Sequence, residues 1–362
     1  MNMSEIPLLN YIVNNEHIFI VSVLAIMFIL GLKKSTETPA GESFVLDKSF
    51  SGALKGIAVI LILMTHYEQM FVNETSGLVR TLVARIPANA ALVWFMFISG
   101  FGCTKTIGTK KGFLTPCVTR CMKVLGPMFF CFIVSVLLYV ILPYRFNLEE
   151  TQALHLPKEI YLFNNHALDI PFVLKGMFRA YWYVWCILMY YVIFYASSYL
   201  TNRFKTSKTN ILLLLMVIYY IAAFNIAGES YAHYYRLTWA FFLGHVFASM
   251  HDMPKWKIAF YIMTCALPSI LFEARYMNFS FVLAVITLLI VSFLNKRYVF
   301  KSKPMLYLGT ISFFFYLIHR RIAWVICCYL DFSNVILWVL VSLFVSILMW
   351  QLYNALKLKK HQ

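Results

Sequence analysis

The chain has 362 residues, of which 61% are hydrophobic and 13% charged, about half the ~25% charged share of an ordinary soluble domain. That composition excludes a soluble globular protein. A mean hydropathy of +0.74 and many apolar runs of bilayer-spanning length make it an all-α, polytopic helical membrane protein. The formal net charge of +16 would suit a nucleic-acid partner only if it formed one surface, and it does not.

In chain order the apolar runs predict eleven spans, near residues 11–32, 51–71, 88–107, 124–143, 181–200, 210–227, 235–250, 256–273, 278–294, 305–329 and 333–356. The first has Glu5 before it and Glu16 in its opening turns, and it precedes Lys33 and Lys34. That is the reverse of a secretory signal peptide, so it is expected to remain as an added N-terminal helix. Residues 1–44 are this helix and its linker, 45–356 the membrane domain, and 357–362 a basic tail. Alternate loops carry the cations, from Lys33 and Lys34 through Lys110, Lys111, Arg120 and Lys123, then Arg203, Lys205 and Lys208, to Lys301, Lys303 and Lys357. The intervening loops are acidic or mixed, with Glu74, Glu149, Glu150, Asp169, Glu229 and Asp331. The bias follows the positive-inside rule and predicts an N-terminus outside and a C-terminus in the cytoplasm of the plasma (bacterial inner) membrane. The charge is a topology signal and implies no nucleic-acid partner.

The second span holds the chain's most informative stretch, Lys55-Gly-Ile-Ala-Val-Ile-Leu-Ile-Leu-Met-Thr-His66. Eleven residues are three helical turns plus about 20°, so Lys55 and His66 share a face about 16 Å apart along the axis. Ionisable groups inside a membrane are costly and usually functional. His66 has two readings: an imidazole hydrogen-bonded to a neighbouring helix, or a general base that titrates near physiological pH. Glu68, two residues on, points elsewhere on the helix.

The most basic loop ends in Arg120-Cys-Met-Lys123, just before a Gly126-Pro127 break and the next span. Arg120 and Lys123 share a helix side. With Lys55 they would form a cationic mouth for the phosphates of a donor; the plainer alternative is contact with anionic lipid headgroups. A later span carries Leu308-Gly-Thr-Ile-Ser-Phe-Phe-Phe-Tyr-Leu-Ile-His-Arg-Arg321, with Tyr316 and His319 at a depth similar to His66. Successive residues are about 100° apart, so His319, Arg320 and Arg321 cannot all face one way. His245 reads as a packed or interfacial histidine. Tyr181-Trp-Tyr-Val-Trp-Cys186 reads as an aromatic belt. The loop 144–180, with His155, His166 and Asp169, reads as interfacial. No metal site, phosphate-binding glycine loop or internal repeat is evident, and the cysteines lie where disulfides are not favoured.

Taken together, these segments resemble the acyltransferase 3 family of multi-pass membrane acyltransferases. Lys55 to His66 matches that family's Arg-x10-His spacing with Lys for Arg. Trp94-Phe-Met-Phe-Ile-Ser-Gly-Phe101 is similar to its FFxxSGF helix, and Arg120 with Lys123 meets its basic Arg-x-x-Arg. Tyr181–Leu188 is similar to a WFL-like helix start, and Leu308–His319 to LGxxSxxxYLIH. The resemblance covers about residues 45–356 as ten spans and leaves 11–32 as the added helix. The two Lys-for-Arg changes keep charge but lose the guanidinium fork. The resemblance implies acyl transfer, most often acetyl from acetyl-CoA, to a hydroxyl of a cell-envelope carbohydrate or lipid-linked glycan. His66 and His319 would then be catalytic, and Lys55, Arg120 and Lys123 would bind the donor. No tightly bound cofactor is implied; acyl-CoA is a substrate, and the bilayer is the remaining partner. A transporter or flippase for lipid-linked sugar would also suit a polytopic bundle with buried cations, but would bring broken helix pairs or a repeat. The same fold using succinyl-CoA or another acyl donor is the third reading.

Overall fold

In hydrocarbon every backbone polar group needs an internal partner, so a chain this apolar forms helices. The computed structural model describes residues 16–35, 46–71, 86–107, 114–141, 181–227, 235–275, 280–325 and 335–358. These form α1 (Glu16–Gly31), β1 (Leu32–Lys34), α2 (Lys48–Phe71), α3 (Ile86–Ile107), α4 (Leu114–Ile141), α5 (Trp182–Phe204), α6 (Lys208–Ala227) and α7 (Thr238–Ser249). They continue with α8 (Lys255–Arg275), α9 (Ser280–Asn295), β2 (Tyr298–Phe300), α10 (Lys303–Val325) and α11 (Val335–Leu358). Each of the eleven expected segments meets one helix. Among the described residues, six helices (α2 to α6, and α11) are both long and apolar enough to cross a bilayer. α7 has 12 residues, about 18 Å of helix, which is short of a ~30 Å hydrocarbon layer.

One expectation is corrected. The break at Gly126-Pro127 is absent, and α4 runs from Leu114 through Pro127 to Ile141. Gly126 instead lets α4 approach α11, because a Cβ there would meet the Tyr353 hydroxyl. Arg120 and Lys123 therefore belong to a helix and not to a loop.

Burial sorts the bundle into a centre and a rim. The central windows of α2 and α3 are 61% and 67% buried, against 17% for α6. On the rim, Ile29, Leu30, Leu214, Ile218, Met263 and Phe344 expose apolar faces suited to lipid. Helix hydroxyls return to the preceding turn, as Ser135 Oγ does to Cys131 O at 2.7 Å and Ser269 Oγ to Cys265 O at 2.8 Å, which satisfies them without water.

Contacts at the helix ends relate α1, α2, α9, α10 and α11. At the basic end β1 pairs antiparallel with β2, Lys33 opposite Val299. There Asp47 caps α2 by accepting from Phe50 N at 2.8 Å, and its own N–H donates to Asn295 Oδ1 at 2.8 Å. At the opposite end the buried Glu16 carboxylate accepts from Val335 N at 3.2 Å, joining the starts of α1 and α11.

Two glycine contacts bring backbones together at the centre. A Cβ on Gly309 of α10 would run into the Gly52 carbonyl of α2, and one on Gly56 would lie 3.1 Å from Met305 O. On the next pair, Gly100 of α3 faces the Phe241 carbonyl of α7, and Gly244 faces the Phe97 carbonyl. Small residues permit such close packing, which van der Waals contact then stabilises within the membrane. Gly52 is different, since a Cβ there would meet Leu306 Cδ2 at an ordinary 3.6 Å. Gly309→Ala should therefore destabilise the bundle by about 1–3 kcal/mol, and Gly52→Ala should leave its melting temperature in detergent nearly unchanged. Equal melting temperatures for the two variants would contradict the close approach of α2 and α10.

Candidate active site

The α2–α10 contact sets the two histidines face to face. The rings of His66 and His319 stack with centroids 5.1 Å apart at 28°. Gly56 meets Gly309, and both pairs differ by the same 253 positions (309−56 and 319−66), so the helices run parallel in constant register. Equal depth for the histidines follows from that register. His319 is 3% exposed. Its Nδ1 lies 2.8 Å from Tyr316 O and 3.1 Å from Phe315 O. Carbonyls only accept, so Nδ1 carries the proton and Nε2 carries the lone pair. That Nε2 is buried and has no hydrogen-bond partner among the described residues. The His319 carbonyl accepts from Trp338 Nε1 at 3.0 Å, and Trp338 packs on Tyr67. His66 is partly exposed.

The other end of α2 meets the cations. Lys55 is partly buried and close enough to Arg120 for their charges to repel. The Arg120 guanidinium lies over the Tyr191 ring, 5.3 Å from its centroid, and Nη1 donates to Thr106 Oγ1 at 3.3 Å. Lys123 parts from them: its side chain is exposed, next to Met122 on the outer side of α4. Lys208, at the start of α6, turns inward and sets Nζ 3.8 Å from the Phe194 ring centroid. Cys103 lies within electrostatic reach of both Arg120 and Lys208. Among the described residues no carboxylate pairs with Lys55, Arg120 or Lys208. Buried charges are normally paired, so this end of the bundle suits an anion.

α5 connects the two ends. Tyr183 stacks obliquely on Tyr316, centroids 5.4 Å apart, and Tyr316 neighbours His319 at 5.9 Å. Eight residues on, Tyr191 meets Arg120, about 12 Å further along the axis. The stretch read as an aromatic belt thus faces inward. Tyr181 and Tyr183 are 2% and 5% exposed, packed on Phe132 and Phe95. The Tyr183 hydroxyl and Trp94 Nε1 are buried without hydrogen-bond partners.

His245 is the packed histidine. Thr104 Oγ1 donates to Gly100 O at 3.0 Å, so His245 Nδ1 donates to Thr104 Oγ1 at 2.8 Å, and Nε2 accepts from Thr209 Oγ1 at 3.1 Å. One ring thereby ties α3, α6 and α7 together. Arg320 is exposed, with its charge acting on His319. The side chains of Glu68 and Arg321, and the loop 144–180 with His155, His166 and Asp169, lie outside the described residues.

The acyltransferase domain family matches residues 49–354. The chain belongs to the acyltransferase 3 family. The match takes in α2 to α10 and most of α11, and leaves α1 outside. No curated protein and no solved structure is similar at a significant level. The chain is therefore a membrane acyltransferase.

Sequence reasoning missed Lys208, because positive-inside lysines at helix starts are ordinary and only Phe194, fourteen residues earlier, marks this one. The tyrosines of α5 were hidden because an inward aromatic face and a belt share a composition. For this acyltransferase, Cys at positions 66 and 319 in a cysteine-depleted background should crosslink with a short bifunctional reagent. A pair that stays uncrosslinked would separate α2 from α10 at this depth.

Proposed function

We propose that this membrane acyltransferase is an O-acyltransferase that uses acyl-CoA, most simply acetyl-CoA, at the cytoplasmic face and acylates a hydroxyl of a cell-envelope carbohydrate or lipid-linked glycan. The observation that carries the reading is the arrangement along α2, with stacked histidines toward one end and, at the other, cations without carboxylate partners among the described residues. Donor phosphates bind near Lys55 and Arg120. The acylated arm extends along α2 and α5 toward His66, about 16 Å away. The basic end is cytoplasmic by the loop charges, which puts the N-terminus outside.

The chemistry needs one proton moved twice. The acceptor hydroxyl attacks the thioester carbonyl while His66 takes its proton. The tetrahedral adduct collapses with cleavage of the C–S bond, and the imidazolium returns the proton to the departing sulfur, giving an ester and a free thiol. His319 has a different task. Its Nε2 lone pair, fixed by the Nδ1 hydrogen bonds, accepts from a second hydroxyl of a polyhydroxylated acceptor and orients it. A charged pair of stacked imidazoles would repel, so a neutral His319 beside His66 leaves the proton to one ring.

Membranes given radiolabelled acetyl-CoA should transfer label to an envelope glycan. His66→Ala and His66→Gln should each lower kcat by about 10²–10⁴-fold, because an amide cannot take up the proton. A His66→Gln enzyme with near wild-type turnover would return His66 to a packing role. His319→Ala should raise the acceptor KM and leave the donor KM unchanged, and His319→Gln, which can accept a hydrogen bond, should recover part of the loss. Neutralising Lys55 or Arg120 should raise the donor KM, more so at high salt.

A further inference from the structure

Lys208 is a buried cation that the donor reading does not use. Its neighbours Arg203 and Lys205 are exposed, as expected of long side chains that snorkel toward water. Lys208 does the opposite. Its ammonium is shut off from solvent, has no hydrogen-bond partner among the described residues, and rests on the face of Phe194 at 3.8 Å. An aromatic face offsets only part of the cost of desolvating an ammonium, so the position suits an anionic ligand.

The backbone that holds Lys208 is fixed. The next residue, Thr209, is 5% exposed and donates to His245, whose other nitrogen is bonded to Thr104 of α3. This chain of hydrogen bonds clamps the start of α6 to α3 near Cys103, which the charges of Lys208 and Arg120 both reach. Both cations also lie against one face of α5: Arg120 over Tyr191, and Lys208 over Phe194 three residues on. Lys55 joins from α2, close enough to repel Arg120. Lys55 and Arg120 repel each other, and Arg120 and Lys208 both act on Cys103; positive charges gathered from α2, α4 and α6 in a weakly screened interior suit a ligand with several negative charges.

We propose that Lys208 is the third cation of the donor site and binds a phosphate of the acyl-CoA nucleotide beside Arg120, the place in that site that the exposed Lys123 does not fill. This rests on the donor reading above. Phosphate binding by Lys is that of a point charge, so a change to Arg preserves much of it and a change to Met removes it.

The test uses the full chain in detergent, with CoA and inorganic pyrophosphate as probes and calorimetric Kd as the readout. Lys208→Met should weaken CoA by about ten- to a hundredfold and weaken pyrophosphate in parallel. Lys208→Arg should stay within a few-fold, and Lys303→Met, an exposed lysine at the same end, should match wild type. Ligand-free melting temperatures separate lost binding from lost folding, and Lys208→Gln replaces the Met variant if that fails to fold. Neutral variants that bind both probes as tightly as wild type would overturn the proposal, and the donor reading would survive if Arg120→Met still lost CoA. Wild-type protein that binds pyrophosphate through Lys208 but binds no CoA would instead sink the donor reading and leave Lys208 an anion site.

Discussion

The structure depends on how closely α2 and α10 approach. With Gly309 against the Gly52 carbonyl and Gly56 against the backbone at Met305, neither helix can rotate or slide without a backbone clash. Two parallel helices locked near one end carry the same register to the other, so His66 meets His319 three turns further on. The contact does for membrane helices what a hydrophobic seam does in water. Lipid tails are as apolar as leucine, and close packing has to supply the specificity. The Gly100 and Gly244 contacts do the same for α3 and α7, so backbone approach sets the centre of the bundle and large buried side chains such as Phe97, Phe241 and Phe315 pack around it.

On that frame the polar groups divide by how they are satisfied. His245 has both nitrogens bonded, and helix hydroxyls bond back to their own turns. His319 is half-satisfied in a directed way: one nitrogen is held by carbonyls, and the other is buried with its lone pair open. Lys55, Arg120 and Lys208 lack anionic partners among the described residues. Unpaired charge in a low-dielectric setting costs stability, and a donor of several negative charges would relieve that cost. With a donor bound there, as proposed, binding and folding would be coupled at the same residues and the bound protein would be the more stable state.

α5 is the element that relates the two ends. Its inward tyrosines meet the histidine cluster through Tyr183 and the cation cluster through Tyr191. Their spacing is fixed by helix rise alone, as is the Lys55-to-His66 spacing on α2. Two rulers of similar length running in opposite directions set the distance between the cations and the imidazoles. That separation belongs to covalent helix geometry and is insensitive to side-chain rearrangement.

Much of this was legible in the amino-acid order. Apolar runs fixed the helical segments, because an unsatisfied backbone is intolerable in hydrocarbon, and loop charge implied the alternation that the β1–β2 pair and the Glu16–Val335 bond display. The spacing of Lys55 and His66 set both on one face, since three turns of helix take about eleven residues. Rotation of each helix about its own axis was not legible. Arg120 and Lys123 are three residues apart, yet one turns to Tyr191 and the other outward. Tyr183 looked like a lipid anchor and is interior. Gly126-Pro127 looked like a stop and is crossed, because the proline lies within a helix supported by its neighbours. Lys208 looked like one more cytoplasmic lysine. Sequence thus determined which segments are helices, how they alternate and which residues share a helix face. Only the tertiary structure decided which face turns inward, because that is set by contacts between helices hundreds of residues apart, where one glycine's missing Cβ fixes the rotation of both.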